Sequence, residues 1–330
     1  MKNKDYSMLS KLNIVKGGVA KKDLSPILRH LRIAGGWITS TNGRLTISTD
    51  ISKLKDFNLI VPADKFIKAI SLCKNPKLKI TEGGRLSISD GKFRALLPLL
   101  SDTEFPVPDK RGEKVSVKNL IEGLKKIYQF IGDDASRPWS CGILLYKGVG
   151  YATNNTIIAR TNIEWSGPPI NLPEFLITEL FRLNKPLRAA YINSSTITFE
   201  LEDNVWINSS LLSLTWPNAE ELFSKISFDN VLEIPNSLKD DIESIIPFCP
   251  DPKLPKILFT AEGITTEAGK NEALISTHEL PESIWRAEPI LNILALPESE
   301  SIRIDFSQWP RPCPWIRSDG VEGLIIGLRK

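Results

Sequence analysis

The sequence predicts an α+β protein built from three tandem copies of one domain, each with two helices resting on antiparallel sheets. Three observations predict it. Segments recur along the chain at a spacing of 111 or 112 residues. Short runs of alternating apolar and polar residues lie between turn signals, which is the period of half-buried strands. A few stretches place apolar residues three and four apart, the period of a helix packed along one face. The repeat divides the 330 residues into domains at 1–112, 113–225 and 226–330.

The repeat is clearest at a polar turn. Ser40-Thr41-Asn42-Gly43-Arg44-Leu45 parallels Ala152-Thr153-Asn154-Asn155-Thr156-Ile157, with Thr41 and Thr153 separated by 112 positions. VPADKFIKAISL at 61–72 parallels LPEFLITELFRL at 172–183, and EFP at 104–106 parallels TWP at 215–217. Pro62 and Pro173, like Pro106 and Pro217, are 111 apart. A third copy is in register, with KILFTAEGITTEA at 256–268, EPILNILAL at 288–296 and then SIRIDFS at 301–307. Such a period is far longer than a solenoid unit, so each copy is a whole domain.

The elements follow in order from local pattern. In the first copy, Gly35-Gly36 and EGGR at 82–85 read as hairpin turns, and Pro62 in VPADKFIKAISL, 61–72, reads as a proline before a helix. In the middle copy, VKNLIEGLKKIYQFI places Leu120, Ile121, Leu124, Ile127, Tyr128 and Ile131 at helical spacing, with Lys118, Glu122, Lys125 and Lys126 elsewhere on the cylinder. GILLYK, the turn KGVG at 147–150, YATNNTIIAR, a second helix over 173–183 and the alternating segment at 189–210 complete it. In the third copy PNSLKDDIESII reads as an acidic helix.

Composition excludes several classes. The chain is 42% apolar, and no run approaches the ~18 apolar residues of a membrane span. MKNKDYSMLSK lacks the apolar region of an export signal, so the protein is expected in the cytoplasm. Cys73, Cys141, Cys249 and Cys313 form no CxxC pair and read as buried or incidental thiols; no metal site is expected. His30 and His278 each stand alone, which leaves little material for a hydrolytic triad. Neither a P-loop nor a full GxGxxG is present, and no cofactor is expected. Asp133-Asp134 and Asp240-Asp241 are the best acid pairs, but adjacent acids point apart and suit a solvated face. No enzymatic activity is expected.

Charge is distributed unevenly. Residues 1–110 hold 20 Lys and Arg against 10 Asp and Glu, residues 114–225 hold 11 against 11, and residues 226–330 hold 10 against 17. One end of the chain could attract the other end of a second copy.

The order of SPIL at 25–28, VPADKF at 61–66, RLSISDGKFRALLPLLSDTEFP at 85–106, GILL, YATNNTIIAR and the final LIIGLRK, together with the triplication, resembles the bacterial sliding clamp, the beta subunit and processivity factor of the replicative DNA polymerase. The resemblance covers nearly the whole chain. It implies a homodimer joined head to tail, first domain to third, whose six domains form a ring around duplex DNA with helices lining the hole. The basic first domain and the acidic third would then meet at the closing contact.

The resemblance also implies two sets of site residues. Sequence-nonspecific phosphate contacts would come from Lys22, which aligns with a basic position of the family, its neighbour Lys21, and Lys65, Lys68, Lys74, Lys118, Lys125 and Arg182. The acidic helix of the third domain departs from that pattern. Docking of the polymerase, the clamp loader and other DNA enzymes by a short apolar peptide would use Thr153, Asn155, Thr156, Ile157, Ile158, Pro217, Leu222, Ile326, Gly327, Leu328 and Arg329. The family has Asp-Gly-His-Arg at the turn, where Asn154-Asn155-Thr156-Ile157 stands here, and a Met-Pro-Met type tail, where this chain has Ile-Gly-Leu. Such departures suit a different preferred peptide and a virus-encoded clamp. The alternative is a clamp-like scaffold that never encircles DNA.

Overall fold

The alternating segments pair as strands because one face of each can be buried while the other stays polar. The computed structural model describes residues 6–22, 25–100, 105–107, 112–235, 237–266, 273–276, 280–295 and 301–329. The first stretch of chain runs α1 (Tyr6–Val15), β1 (His30–Ala34), β2 (Trp37–Thr41), β3 (Leu45–Asp50), β4 (Asn58–Pro62), α2 (Ala63–Leu72), β5 (Lys77–Ile80), β6 (Leu86–Asp90) and β7 (Phe93–Leu97). Next come β8 (Glu113–Val115), α3 (Leu120–Ile127), β9 (Gly142–Tyr146), β10 (Val149–Thr153), β11 (Ile157–Asn162), β12 (Ile170–Pro173), α4 (Glu174–Leu183), β13 (Leu187–Ile192), β14 (Thr196–Leu201) and β15 (Val205–Ser210). The last stretch has α5 (Ala219–Ser224), β16 (Leu232–Glu233), α6 (Leu238–Ile245), β17 (Lys256–Thr260), β18 (Gly263–Thr266) and β19 (Leu274–Ile275). It ends with β20 (Ser283–Arg286), α7 (Ala287–Leu294), β21 (Ile302–Ile304), β22 (Cys313–Arg317) and β23 (Val321–Ile325).

Two compact units result. The first comprises Met1–Val117 and Phe175–Leu211. Its main sheet has the order β4-β1-β2-β3-β15-β14-β13-β8, antiparallel throughout, and β5-β6-β7 form a second sheet. Leu31, Ile33, Ile38, Ile47, Ile197, Phe199 and Ile207 carry the buried side of the main sheet. Leu12 and Val15 of α1 are likewise fully buried, and Lys11 closes on Asp50 at 2.6 Å.

The second unit comprises Lys118–Glu174 and Leu212–Lys330. Its sheets run β12-β9-β10-β11-β23-β22-β21-β16 and β19-β18-β17-β20. Phe130 packs on Trp315 at 5.4 Å, and Phe259, Trp285 and Phe306 form a second aromatic group with centroids 5.1 to 6.3 Å apart. The middle helix ends at Ile127, short of the predicted Ile131, because the chain tightens into a 3-10 turn that sends Phe130 into the core.

The strand orders expose the repeat. A four-strand block occurs three times, as β4-β1-β2-β3, β12-β9-β10-β11 and β20-β17-β18-β19. A three-strand block follows the second helix of each copy, as β5-β6-β7, β13-β14-β15 and β21-β22-β23. Both eight-stranded sheets join a four-strand block to the next copy's three-strand block by the same edges, β3 to β15 and β11 to β23. The predicted α+β triplication therefore stands at the level of strand order.

Turn chemistry repeats with it. Asn42 Oδ1 accepts the amides of Arg44 (3.0 Å) and Leu45 (2.9 Å), Asn154 Oδ1 those of Thr156 (3.1 Å) and Ile157 (2.8 Å), and Asn193 Oδ1 those of Ser195 (3.1 Å) and Thr196 (2.8 Å). The following position is left-handed in the first two turns, φ 85° at Gly43 and 71° at Asn155, which glycine and asparagine tolerate. Asn42→Ala should lower stability by about 1–2 kcal/mol in urea unfolding, since two amide partners are lost; a loss within error would show that the turn is held by the strands alone.

Candidate functional site

In the second unit, β10, β11 and β23 bring together residues far apart in the chain. Thr153 lies opposite Ile158, and Ile158 opposite Leu324, so these three side chains share one face of the sheet. Leu144, Tyr151, Ile158 and Leu324 on that face pack with Ala219 and Phe223 of α5 into one buried cluster, flanked by Trp216, Ile226 and Phe228. Asn218 starts α5 by accepting the Glu221 amide at 3.1 Å, the usual task of an N-cap asparagine. Phe223 is thereby held over the sheet, 6.1 Å from Tyr151 and stacked on Phe228 at 6.2 Å.

Charge is arranged around this cluster. The Arg160 guanidinium lies 4.1 Å from the Phe223 ring centroid and donates to Glu322 at 2.7 Å, so its charge is paired while its face packs. Burial raises the Tyr151 hydroxyl pKa despite Arg160. Lys147 reaches Glu220 of α5 at 3.0 Å, and that hydrogen bond raises its pKa.

The rim is apolar and open. Leu222 is 37% and Ile326 45% exposed, and Pro217 is exposed just before the cap. The Ile326 amide bonds the Thr156 carbonyl at 3.0 Å, which carries the β11–β23 ladder one step beyond the strand. The tail then fastens to Ile284, whose carbonyl accepts the Leu328 amide at 2.8 Å, and Trp309 Nε1 donates to the Leu328 carbonyl at 2.9 Å. A Cβ on Gly327 would come within 2.6 Å of Trp309 Cδ1 and 2.7 Å of the Ile284 carbonyl, so this close passage requires glycine. Arg329 is exposed and Leu328 half-buried.

Two residues expected in the docking set are buried. Ile157 is 1% exposed, and the alternation that puts Ile158 on the cluster face turns Ile157 to the opposite, core side. Thr153 is 6% exposed, and its hydroxyl is spent within the turn, donating to the Ile157 carbonyl at 2.6 Å and accepting the Asn155 amide at 3.1 Å. Asn155 and Thr156 are half-buried on the turn beside the tail. Sequence reasoning missed Phe223, Arg160 and Trp139; the six-residue α5 is too short to announce itself by periodicity, and its signal was the Pro217-Asn218 pair.

The basic candidates sort by unit. In the first, Lys21, Lys22, Lys65, Lys68 and Lys74 are exposed, Lys65 and Lys68 on α2 opposite the buried Phe66, Ala69 and Ile70. Arg182 is exposed as well but has internal partners: its guanidinium donates to both oxygens of the buried Glu179 (2.9 and 2.8 Å) and to the carbonyls of Asn13 (3.2 Å) and Ile14 (2.8 Å), so it secures the C-terminal end of α1. In the second unit Lys118 and Lys125 are exposed, while α6 carries Asp240, Asp241 and Glu243.

The remaining reactive groups are placed elsewhere. Asp134 accepts from the Ser136 hydroxyl (2.6 Å) and amide (2.9 Å), which lower its pKa, so it holds a loop while Asp133 faces solvent. His30 Nδ1 meets the Pro26 carbonyl at 2.7 Å; His278 lies outside the described residues, as does Lys330. Burial raises the pKa of all four thiols, that of Cys313 to about 12. Among the described residues, no three His, Cys, Asp or Glu converge as a metal site.

No protein-family model matches the chain, and no curated protein sequence matches it. Solved structures do. The DNA polymerase sliding clamp of Bacillus subtilis superposes with a TM-score of 0.82 at 17% identity, covering 99% of this chain and 98% of that one. The DNA polymerase III subunit beta of Pseudomonas aeruginosa gives 0.82 at 17%, covering 98% of each chain. The pol III beta of Caulobacter crescentus gives 0.81 at 19%, again over 98% of each. The fold of this chain is therefore the sliding-clamp fold.

The geometry separates two substitutions. Leu222→Asp should leave the folded state within about 0.5 kcal/mol, because the side chain is already at the surface. Ile157→Asp should cost more than about 4 kcal/mol by burying an unpaired carboxylate. Thermal unfolding of the two variants checks the assignment; equal midpoints would show that Ile157 is not a core residue.

Proposed function

We propose that the chain is a DNA sliding clamp, two copies closing head to tail into a ring around duplex DNA and tethering a replicative polymerase. One observation carries the reading. The junction that joins β3 to β15 and β11 to β23 has a third instance left over: the edge of β19 and the edge of β7 have no partner among the described residues. Within one copy the series is incomplete, and a second copy would supply β7 to β19 by the same antiparallel pairing.

The surfaces beside those edges suit such a contact. Leu72 is 55% and Leu96 42% exposed near β7, while Leu274 on β19 is 49% and Phe248 after α6 is 47% exposed. Lys77, Lys79, Arg85, Lys92 and Arg94 are exposed on the β5-β6-β7 sheet, and Glu243, Glu262 and Glu282 near β19. Opposite charge would steer the two edges together, and the apolar side chains would be buried on contact.

In this reading the domains are 1–112, 113–225 and 226–330, and Lys21, Lys22, Lys65, Lys68, Lys74, Lys118 and Lys125 supply phosphate contacts that carry no sequence information. The exposed patch at Pro217, Leu222 and Ile326, beside the buried cluster of Ile158 and Leu324, receives an apolar peptide of the polymerase or the clamp loader. The role involves no chemistry and belongs in the cytoplasm; no described helix is long and apolar enough to cross a membrane.

Light scattering at micromolar concentration should give twice the chain mass, and Leu96→Asp combined with Leu274→Asp should give the monomer; a strict monomer in the unmodified protein would end the ring reading. After loading, the protein should remain on nicked circular DNA and be lost when the circle is linearised. Equal retention on both would point to a scaffold that does not encircle DNA.

A further inference from the structure

We propose that Asn171 is the positioning residue of the docking patch, a role that rests on the docking reading above. Asn171 lies on β12 and is fully buried. Its Nδ2 donates to the carbonyls of Trp139 (2.9 Å) and Ser213 (3.1 Å), and its own carbonyl accepts the Leu212 amide at 3.0 Å. One residue thus fastens two segments, the second of which leads into the patch. The first is the tight turn Pro138–Ser140; the second runs from Leu212 through Trp216 to Pro217 and the Asn218 cap of α5. Trp139 and Trp216, one on each segment, meet edge to face at 5.3 Å.

The carboxamide suits this task because one nitrogen carries two N–H donors, which can serve two carbonyls at once. A hydroxyl would serve one of them, and an ionised carboxylate neither, while adding a buried charge. The amide is also sterically held. A Cβ on Gly142 would lie 2.9 Å from Asn171 Oδ1 and 2.2 Å from the Leu172 carbonyl, so glycine at 142 gives the Asn171 side chain its space. Among the described residues Oδ1 is buried without a partner, as is Trp216 Nε1, so the side-chain fastening passes through Nδ2, while the Leu212 amide stays on the backbone carbonyl. Leu212 stays on the backbone carbonyl, but losing the bond to Ser213 frees the path from there to the Asn218 cap of α5, and Pro217 and Leu222 on that path lose their fixed place. The effect should appear in affinity, because neither Trp139 nor Ser213 belongs to the strand edges that join copies.

The test measures binding of a fluorescein-labelled pentapeptide rich in leucine and phenylalanine by anisotropy, on the full chain, with solution mass recorded for each variant. Asn171→Leu should weaken binding about tenfold or more and Asn171→Ser less, since serine keeps one donor. Asn171→Asp should bind weakly at mildly alkaline pH and recover on acidification, because a protonated carboxyl again donates one bond, whereas the unmodified protein should show no such recovery. The dimer mass should persist throughout. Unchanged affinity in Asn171→Ser and Asn171→Asp, with binding lost in Leu222→Asp, would overturn the proposal and leave docking standing. Unchanged affinity in Leu222→Asp as well would overturn the docking reading and this proposal with it. Should Asn171→Leu fail to fold, the serine and aspartate variants decide.

Discussion

The antiparallel pairing of β11 with β23 carries the second unit, and the apolar cluster beside the proposed docking patch is built on it. Ile157 to Thr161 face Ile325 to Val321, a register that joins residues some half a chain apart and places Ile158 against Leu324. The pairing depends on Gly323, where a Cβ would come within 2.4 Å of the Ile158 carbonyl and 2.3 Å of the Trp315 ring. A one-residue slip would turn Ile158 into the core and Ile157 out to the patch, reversing the chemistry of both faces. Everything built above the sheet, from Phe223 to the exposed Leu222, assumes that register.

The equivalent sheet of the first unit shows how one scaffold takes two chemistries. At the corresponding outer positions it carries Thr39, Thr46, Ser48, Thr198 and Asn208, and several of these bond one another, as Thr39 Oγ1 to Ser48 Oγ at 2.9 Å and Asn208 Nδ2 to Thr198 Oγ1 at 2.9 Å. Their buried sides are alike, Ile33, Ile38 and Ile47 in one unit and Ile143, Leu145 and Ile157 in the other. The repeat conserves what packing needs and frees what faces outward. That freedom lets an apolar patch arise on one copy without disturbing the architecture of the others.

Most of the fold was legible in local pattern. Helix Ala63–Leu72 begins after Pro62 as expected, and Gly35-Gly36 and Lys147-Gly148 make hairpin turns at positive φ. Helix Tyr6–Val15 was not legible, and α5 was not, since neither the weakly amphipathic opening segment nor a six-residue helix carries enough turns for a clear period. The site was legible only in part. Thr153 and Ile157 sit in the hairpin beside the apolar cluster, but a hairpin spelled in one dimension does not say which of two faces a neighbour covers. Arg182 looked like a helix-end cation for a phosphate because its partners, Glu179 and the carbonyls of Asn13 and Ile14, include groups about 170 positions away.

By itself the sequence determined the triplication, the class of the strongly periodic elements, the polar turns at Asn42 and Asn154, and the fall in charge from the first third to the last. Those are local or additive properties, set by side-chain period, backbone preference and formal charge. Tertiary structure alone decided that Ile158 rather than Ile157 meets the patch, that α5 supplies Phe223 to cover it, that Asn171 ties Trp139 to Ser213, and that the edges of β7 and β19 remain unpaired. Each of these depends on which strand lies beside which, and strand neighbours are chosen by pairing across long stretches of chain that no local window contains.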